Sequence, residues 1–154
     1  MFCADTAKRM KNIVHIHSTR ISFHKDAKRA HKVACFVLDI LKKKDKTADI
    51  FLLRQNMIHA INKQWHKKDE PTNVLSFAER DVPFIVPKQL RDKNYLGEIY
   101  ISPDFVRKHK QSLDHMVVHS MLHLLGYDHI KNEDARKMEK REQTILKKIA
   151  SLKL

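Results

Sequence analysis

The chain has 154 residues, 42% hydrophobic and 32% charged, enough for one domain that buries about two-thirds of the surface its unfolded chain would expose. Lysine and arginine outnumber aspartate and glutamate by 31 to 18, a formal net charge of +13 that favours a polyanionic partner, nucleic acid ahead of an anionic membrane face. No apolar run approaches the roughly 20 residues of a membrane span, and Cys3 and Cys35 are too few and too far apart for a disulfide framework or a cysteine-based zinc knuckle.

Reduced thiols, no disulfide-linked partner, no membrane and a soluble cytoplasmic protein are therefore expected. Residues 1–9 lack the apolar core of a signal peptide and read as a flexible extension or an upstream start, with the domain proper at 10–154 from Met10. NIVHIH (12–17) is a short β-rich run. From Asp26, residues Ala27, Ala30, Ala34, Val37 and Leu41 recur at helical spacing, widened by Val33 and Leu38, which predicts an amphipathic helix ending near Lys44. ADIFLL (48–53) is a second strand and 56–65 a helix with Ile58 and Ile61 inward. HKKDEPT is a polar connection and VLSF (74–77) a short buried strand. Residues 79–94 lack periodicity, hold two prolines and read as a loop or flap. LGEIYIS (96–102) alternates as a fourth strand. Pro103 opens a short helix, a stronger one runs from Ser112 or Leu113 to Leu125, and the last extends from Asn132 towards Leu152. Asn132 suits its N-cap, with Glu133 and Asp134 in the first turn and Lys147 and Lys148 in the last. The expected fold is a single α/β (α+β) domain with a small four-stranded mixed sheet and about five helices.

Residues 119–129 read HSMLHLLGYDH. Among 11 histidines one HxxxH pair is expected by chance, so spacing alone carries little. Geometry carries more. His115, His119 and His123 stand at four-residue steps, and the ends of that row are about 12 Å apart along a helix axis. Nitrogens sharing one zinc are only about 3.4 Å apart. One straight helix therefore offers two adjacent histidines, and a third ligand must come from outside it. Gly126 follows three residues after His123, where a left-handed residue ends a helix and turns the chain, and His129 can then fold back towards His119 and His123. Histidine pair, glycine and returning histidine together predict a metal site on a helix in the C-terminal half, with His115 left as a surface residue, an outer contact of the site or a group facing RNA.

Three neutral imidazoles suit Zn²⁺, one per chain, although Ni²⁺, Cu²⁺ or Fe²⁺ would also fit. Three protein ligands leave an open coordination position, and water activated there has a pKa of about 7, so a hydrolytic site is expected. Asp128 is either the acceptor for the outer N–H of a ligand imidazole or a turn residue. Zinc peptidases of this histidine spacing carry a glutamate where Ser120 stands, and a serine has no accessible pKa for that proton transfer. Peptide hydrolysis is thereby disfavoured, and the net charge points the site at phosphodiesters, attacked by a ribose 2′-hydroxyl or by water. The general acid or base is unassigned, and Glu98 is not given that role.

HSMLHLLGYDH resembles the signature H-G-x-L-H-L-x-G-Y-D-H of the YbeY family of metal-dependent endoribonucleases. INKQWHKKDEPTNVLSF, LGEIYIS and KMEKREQTIL resemble three further blocks of that family, in its order and spacing, from about Met10 onward. The resemblance implies His119, His123 and His129 as zinc ligands and single-strand-specific RNA cleavage. It implies a role in 3′-end maturation of 16S rRNA and in late ribosome quality control, with rRNA precursor and the small ribosomal subunit as partners, and an α/β fold whose groove leads to the metal. Ser120 replaces a usual glycine, where it narrows the approach or bonds the carbonyl one turn back. Glu98 replaces an aspartate and Ala78 a common proline. His66 replaces an arginine that contacts RNA, and Lys67 and Lys68 are candidates to restore its charge, or else a solvated loop. Thr72, Asn73 and Ser76 match positions near the groove, with Ser76 a candidate substrate contact or a packing residue. The alternatives are a non-catalytic ribosome-associated RNA-binding factor with a structural metal, and an atypical zinc peptidase.

Overall fold

A computed structural model describes residues 11–82 and 92–154. Four strands and five α-helices follow one another there: β1 (Ile13–Ser18), α1 (His24–Ile40), β2 (Thr47–Leu52), α2 (Gln55–His66), β3 (Val74–Ala78), β4 (Tyr95–Ile101), α3 (Pro103–Lys108), α4 (Leu113–Leu124) and α5 (Asn132–Ser151). The strands form one mixed sheet in the order β1-β2-β4-β3, parallel across the first three and antiparallel between β4 and β3. The expected fold class is the one the chain adopts. The extension expected at 1–9 lies outside the described residues, as do residues 83–91 of the expected loop, whose beginning forms a 3-10 turn at Glu79–Asp81.

Strand alternation divides the core in two. Ala48, Ile50 and Leu52 of β2, with Ile99 and Ile101 of β4, face α1, α4 and α5 and join Phe23, Val33, Leu38, Met121, Leu122 and Ile145 in the larger cluster. Tyr100, Leu75 and Phe77 turn to the other side, where α2 covers them through Ile58. Each fully buried isoleucine or leucine contributes about 1.5–3 kcal/mol. The face carrying α4 holds most of these residues, so α4, like α1, is firmly seated. β3 and β4 meet at Gly97, which pairs with Ala78 at φ +133°. A Cβ there would stand 2.1 Å from the Phe77 carbonyl oxygen, so only glycine permits the approach.

Two helix ends differ from expectation. α1 starts at His24 and stops at Ile40, short of Lys44. Lys42 takes the left-handed conformation (φ 53°), its N–H bonds Asp39 O at 3.0 Å, and Lys43 N–H bonds Leu38 O at 2.9 Å. These two bonds close the helix in the way a glycine usually does, with no glycine to announce it. Asn132 is not the N-cap of α5 but its first helical residue. The extended Lys131 precedes it without a side-chain cap, and the helix start relies on Glu133 and Asp134 in the first turn.

Candidate metal centre

α4 is built to hold its position. Ser112 caps it, accepting from His115 N–H at 3.2 Å, and Asp114 in its first turn receives two bonds from Arg29 of α1, at 2.7 and 2.5 Å. Val117, Val118, Met121 and Leu122 anchor it in the core. His119 and His123 lie half-buried along the rim of this helix. Beyond Leu124 the chain turns as expected: Gly126 has φ +92°, its N–H bonds His123 O at 3.0 Å, and Tyr127 N–H bonds Leu122 O at 3.0 Å. The reversal brings the His129 ring to 4.9 Å from the His123 ring and 5.9 Å from the His119 ring, centroid to centroid.

His119, His123 and His129 each offer a nitrogen within 4.8 Å of the others, a cluster that could hold a metal ion. The Nε2 atoms of His119 and His123 are 3.0 Å apart, close to the about 3.4 Å of two ligands on one ion. Their other nitrogens are taken: His119 Nδ1 by Glu142 Oε1 at 2.5 Å and His123 Nδ1 by the Tyr127 carbonyl at 3.0 Å. Both rings thus turn Nε2 towards a common point, the arrangement that outer acceptors impose on metal-binding histidines. Burial, and then the neighbouring His119 and His129, hold the His123 imidazole below the usual histidine range, which favours its neutral, donor form. The donor set fits a divalent ion of the zinc type.

His115 does not join this group. Its Nε2 stands 3.5 Å from Glu142 Oε2, and it forms with His119 and Glu142 a second set of potential donors. Asp128 takes the turn alternative: its Oδ1 accepts from the N–H groups of His129 (2.6 Å) and Ile130 (3.2 Å), fixing the loop that delivers His129. Ser120 is fully buried, and its Oγ finds no hydrogen-bond partner, so the bond to the carbonyl one turn back is not made. The outer acceptor missed in the sequence is Glu142. A readable signal existed, because Met138, Ile145 and Ile149 mark the buried stripe of α5 and Glu142 stands inside it.

The other candidates are spread around the edge strand β3. His66 is exposed at the end of α2, its ring 5.6 Å from that of Phe77 on the α2 side of the sheet. Lys67 closes α2 in the left-handed conformation, with its Nζ on the Gln64 carbonyl at 3.0 Å, and Lys68 is exposed. Ser76 is half-buried between Val74 and Ala78, both of which pack against the α4 side. Asn73 ties β3 to α4, its Nδ2 reaching Gln111 Oε1 at 3.0 Å and Met116 Sδ at 3.2 Å, and Thr72 Oγ1 bonds Asn73 Oδ1 at 3.3 Å. Glu98 accepts the Tyr100 hydroxyl on the α2 side, with the sheet between it and α4. Burial first, then the nearby carboxylates, push the Tyr95 and Tyr100 hydroxyls well above the usual tyrosine range.

Fold and site define a single-domain α/β protein with a three-histidine cluster at the end of a buried helix. The sequence profile of the family described as Endoribonuclease YbeY matches residues 14–150. The chain is 39% identical over 128 residues to an Endoribonuclease YbeY of Vesicomyosocius okutanii subsp. Calyptogena okutanii, covering 76% of this chain and 84% of that one. It is 36% identical over 122 residues to an Endoribonuclease YbeY of Francisella philomiragia, covering 73% and 76%. A solution structure of a Thermotoga maritima protein shares the fold at a TM-score of 0.53, with 22% identity over 90% of this chain and 92% of that one. The chain belongs to the YbeY family. Among the described residues no helix is long and apolar enough to cross a membrane.

Proposed function

We propose that this chain is a zinc-dependent endoribonuclease that cleaves single-stranded rRNA precursor in the cytoplasm, in 16S 3′-end maturation and late ribosome quality control on the small ribosomal subunit. The observation that carries the reading is the convergence of His119 and His123 Nε2, with His129 returned beside them, in a chain whose relatives are named endoribonucleases. His119, His123 and His129 would hold the ion, which when bound supplies Lewis-acid polarisation of a phosphodiester and of the attacking hydroxyl or water. The chain's own part is positional. The buried body of α4 fixes two rings, and the turn at Gly126 supplies the third, the exposed His129. His66, Lys67 and Lys68, ahead of β3, and Ser76, within it, are proposed as RNA contacts, with Lys68 the least committed of the lysines. Ser120 is buried and cannot take the proton-transfer role of a peptidase glutamate.

Purified protein is expected to hold about one zinc, the number a single three-histidine site accepts. It should cleave single-stranded RNA, lose cleavage to a chelator and regain it with added zinc. His123→Ala is expected to lose the metal and the cleavage while keeping most RNA affinity. Full cleavage by metal-free protein would sink the proposal. RNA binding without cleavage in the zinc-loaded wild type would instead favour the non-catalytic RNA-binding factor.

A further inference from the structure

Glu142 occupies a place where a carboxylate needs justification. It lies in the stripe of α5 that buries Met138, Ile145 and Ile149, and its side chain is only 12% exposed. A buried charge is tolerated when it is hydrogen-bonded and paired. Both oxygens find partners on α4: Oε1 is 2.5 Å from His119 Nδ1, and Oε2 is 3.5 Å from His115 Nε2. One carboxylate thus bridges two histidines a helical turn apart, and one of them belongs to the proposed centre.

We propose that Glu142 is the positioning residue of the metal centre. By accepting the Nδ1–H of His119 it selects the tautomer whose Nε2 lone pair is directed at His123 and His129. His115 stands at the second oxygen, 3.5 Å away, as the looser of the two contacts. This inference rests on the metal-centre reading above. The donor atoms of His115, His119 and Glu142 also lie within 4.8 Å of one another, so a second ion there is the competing arrangement. The pairing argues against it: His119 Nδ1 is already hydrogen-bonded to Glu142 Oε1, and its Nε2 faces His123, so neither nitrogen is left to a second ion. His123 meets only a peptide carbonyl at its Nδ1, so His119 is the ligand whose basicity a full negative charge raises.

Two measurements test this. Long-range proton–nitrogen NMR of the metal-free protein reads the tautomer of His119, and competition with a chromophoric chelator reads zinc affinity. Wild type is expected to show the Nδ1–H form. Glu142→Leu is expected to lose that preference and to bind zinc about 10–100-fold more weakly. Glu142→Gln keeps an oxygen acceptor of the same shape and should fall between the two. His115→Ala should keep the His119 tautomer and weaken zinc binding less than Glu142→Leu. A purely structural Glu142 would lower thermal stability without moving the tautomer, and that result overturns the proposal. Two zinc ions per wild-type chain, or unchanged zinc affinity in Glu142→Leu, also overturn it and leave the three-histidine centre standing. Should Glu142→Leu not fold, a Glu142→Gln protein with wild-type affinity overturns it instead. A wild-type chain that binds no zinc overturns both readings.

Discussion

Ser120 sits on α4 between the two histidines of the proposed centre, and its hydroxyl is buried without a partner. An unsatisfied buried hydroxyl costs about 1–3 kcal/mol, so Ser120→Ala is expected to raise the stability of the metal-free protein by about 1–2 kcal/mol in urea unfolding. Ser120→Gly removes the same hydroxyl but puts a glycine inside a helix, which costs about 1 kcal/mol, and should stay near wild type. An alanine variant less stable than wild type would mean that the hydroxyl has a partner. At this scale the sequence was unevenly legible. The histidine spacing and the limit of two adjacent donors on one straight helix predicted which residues converge, because rise per residue is fixed by helix geometry. The buried orientation of Ser120 depends on which rim of α4 meets the core, and α4 is so apolar that its pattern leaves that rim unmarked. Asp128 could be read two ways because a carboxylate before a reversed chain serves a backbone N–H as readily as an imidazole.

The turn after α4 shows what one residue does for an element. Gly126 at φ +92° has nothing within 4 Å of where a Cβ would stand, so crowding does not require the glycine; the backbone conformation does. An L-residue there costs about 1–2 kcal/mol. Gly126→Ala is expected to lose about that much stability and to weaken zinc binding by more than the stability loss explains, since the same turn delivers His129 and the Tyr127 carbonyl that holds His123. Gly126→Asn, better tolerated in the left-handed region, should lie closer to wild type. Chelator competition and urea unfolding on both variants check this, and wild-type affinity in Gly126→Ala would show that the turn does not govern the centre. The helix ends explain the limits of sequence reading at this scale. Gly126 announces the end of α4, whereas α1 and α2 close through left-handed Lys42 and Lys67, residue types that carry no stop signal and are held there by the tertiary structure. The four strands were readable within one residue at each end, because a one-residue slip would exchange the side chains that meet α1 and α4 with those that meet α2.

The charge of the whole molecule outlasts its internal pairing. Asp114 is engaged by Arg29, Asp26 and Asp104 by Arg107, Asp69 by Lys63, and Glu133 by Lys137. These pairs engage five of the 18 acidic groups, and many cations stand outside them, such as the exposed Lys28, Lys32, Lys43, Lys68, Lys140 and Lys147. Pairs of this exposed kind contribute little to stability, so the surplus is better understood through what it attracts. Composition made that surplus legible; the sides on which the candidate contacts stand were not, because His66 and Ser76, close in sequence, belong to opposite sides of the sheet. If the surplus meets phosphate, each neutralised phosphate of a single strand costs a factor of about 2.6 in affinity when salt rises from about 50 to 200 mM. Single-stranded RNA is therefore expected to bind His123→Ala at least about tenfold more weakly at the higher salt, with cleavage absent and the loss purely one of binding. Fluorescence anisotropy across that range reads it directly. Affinity that stays level would show that the lysines serve solubility rather than substrate, and would move the burden of RNA recognition onto the few side chains around the edge of β3.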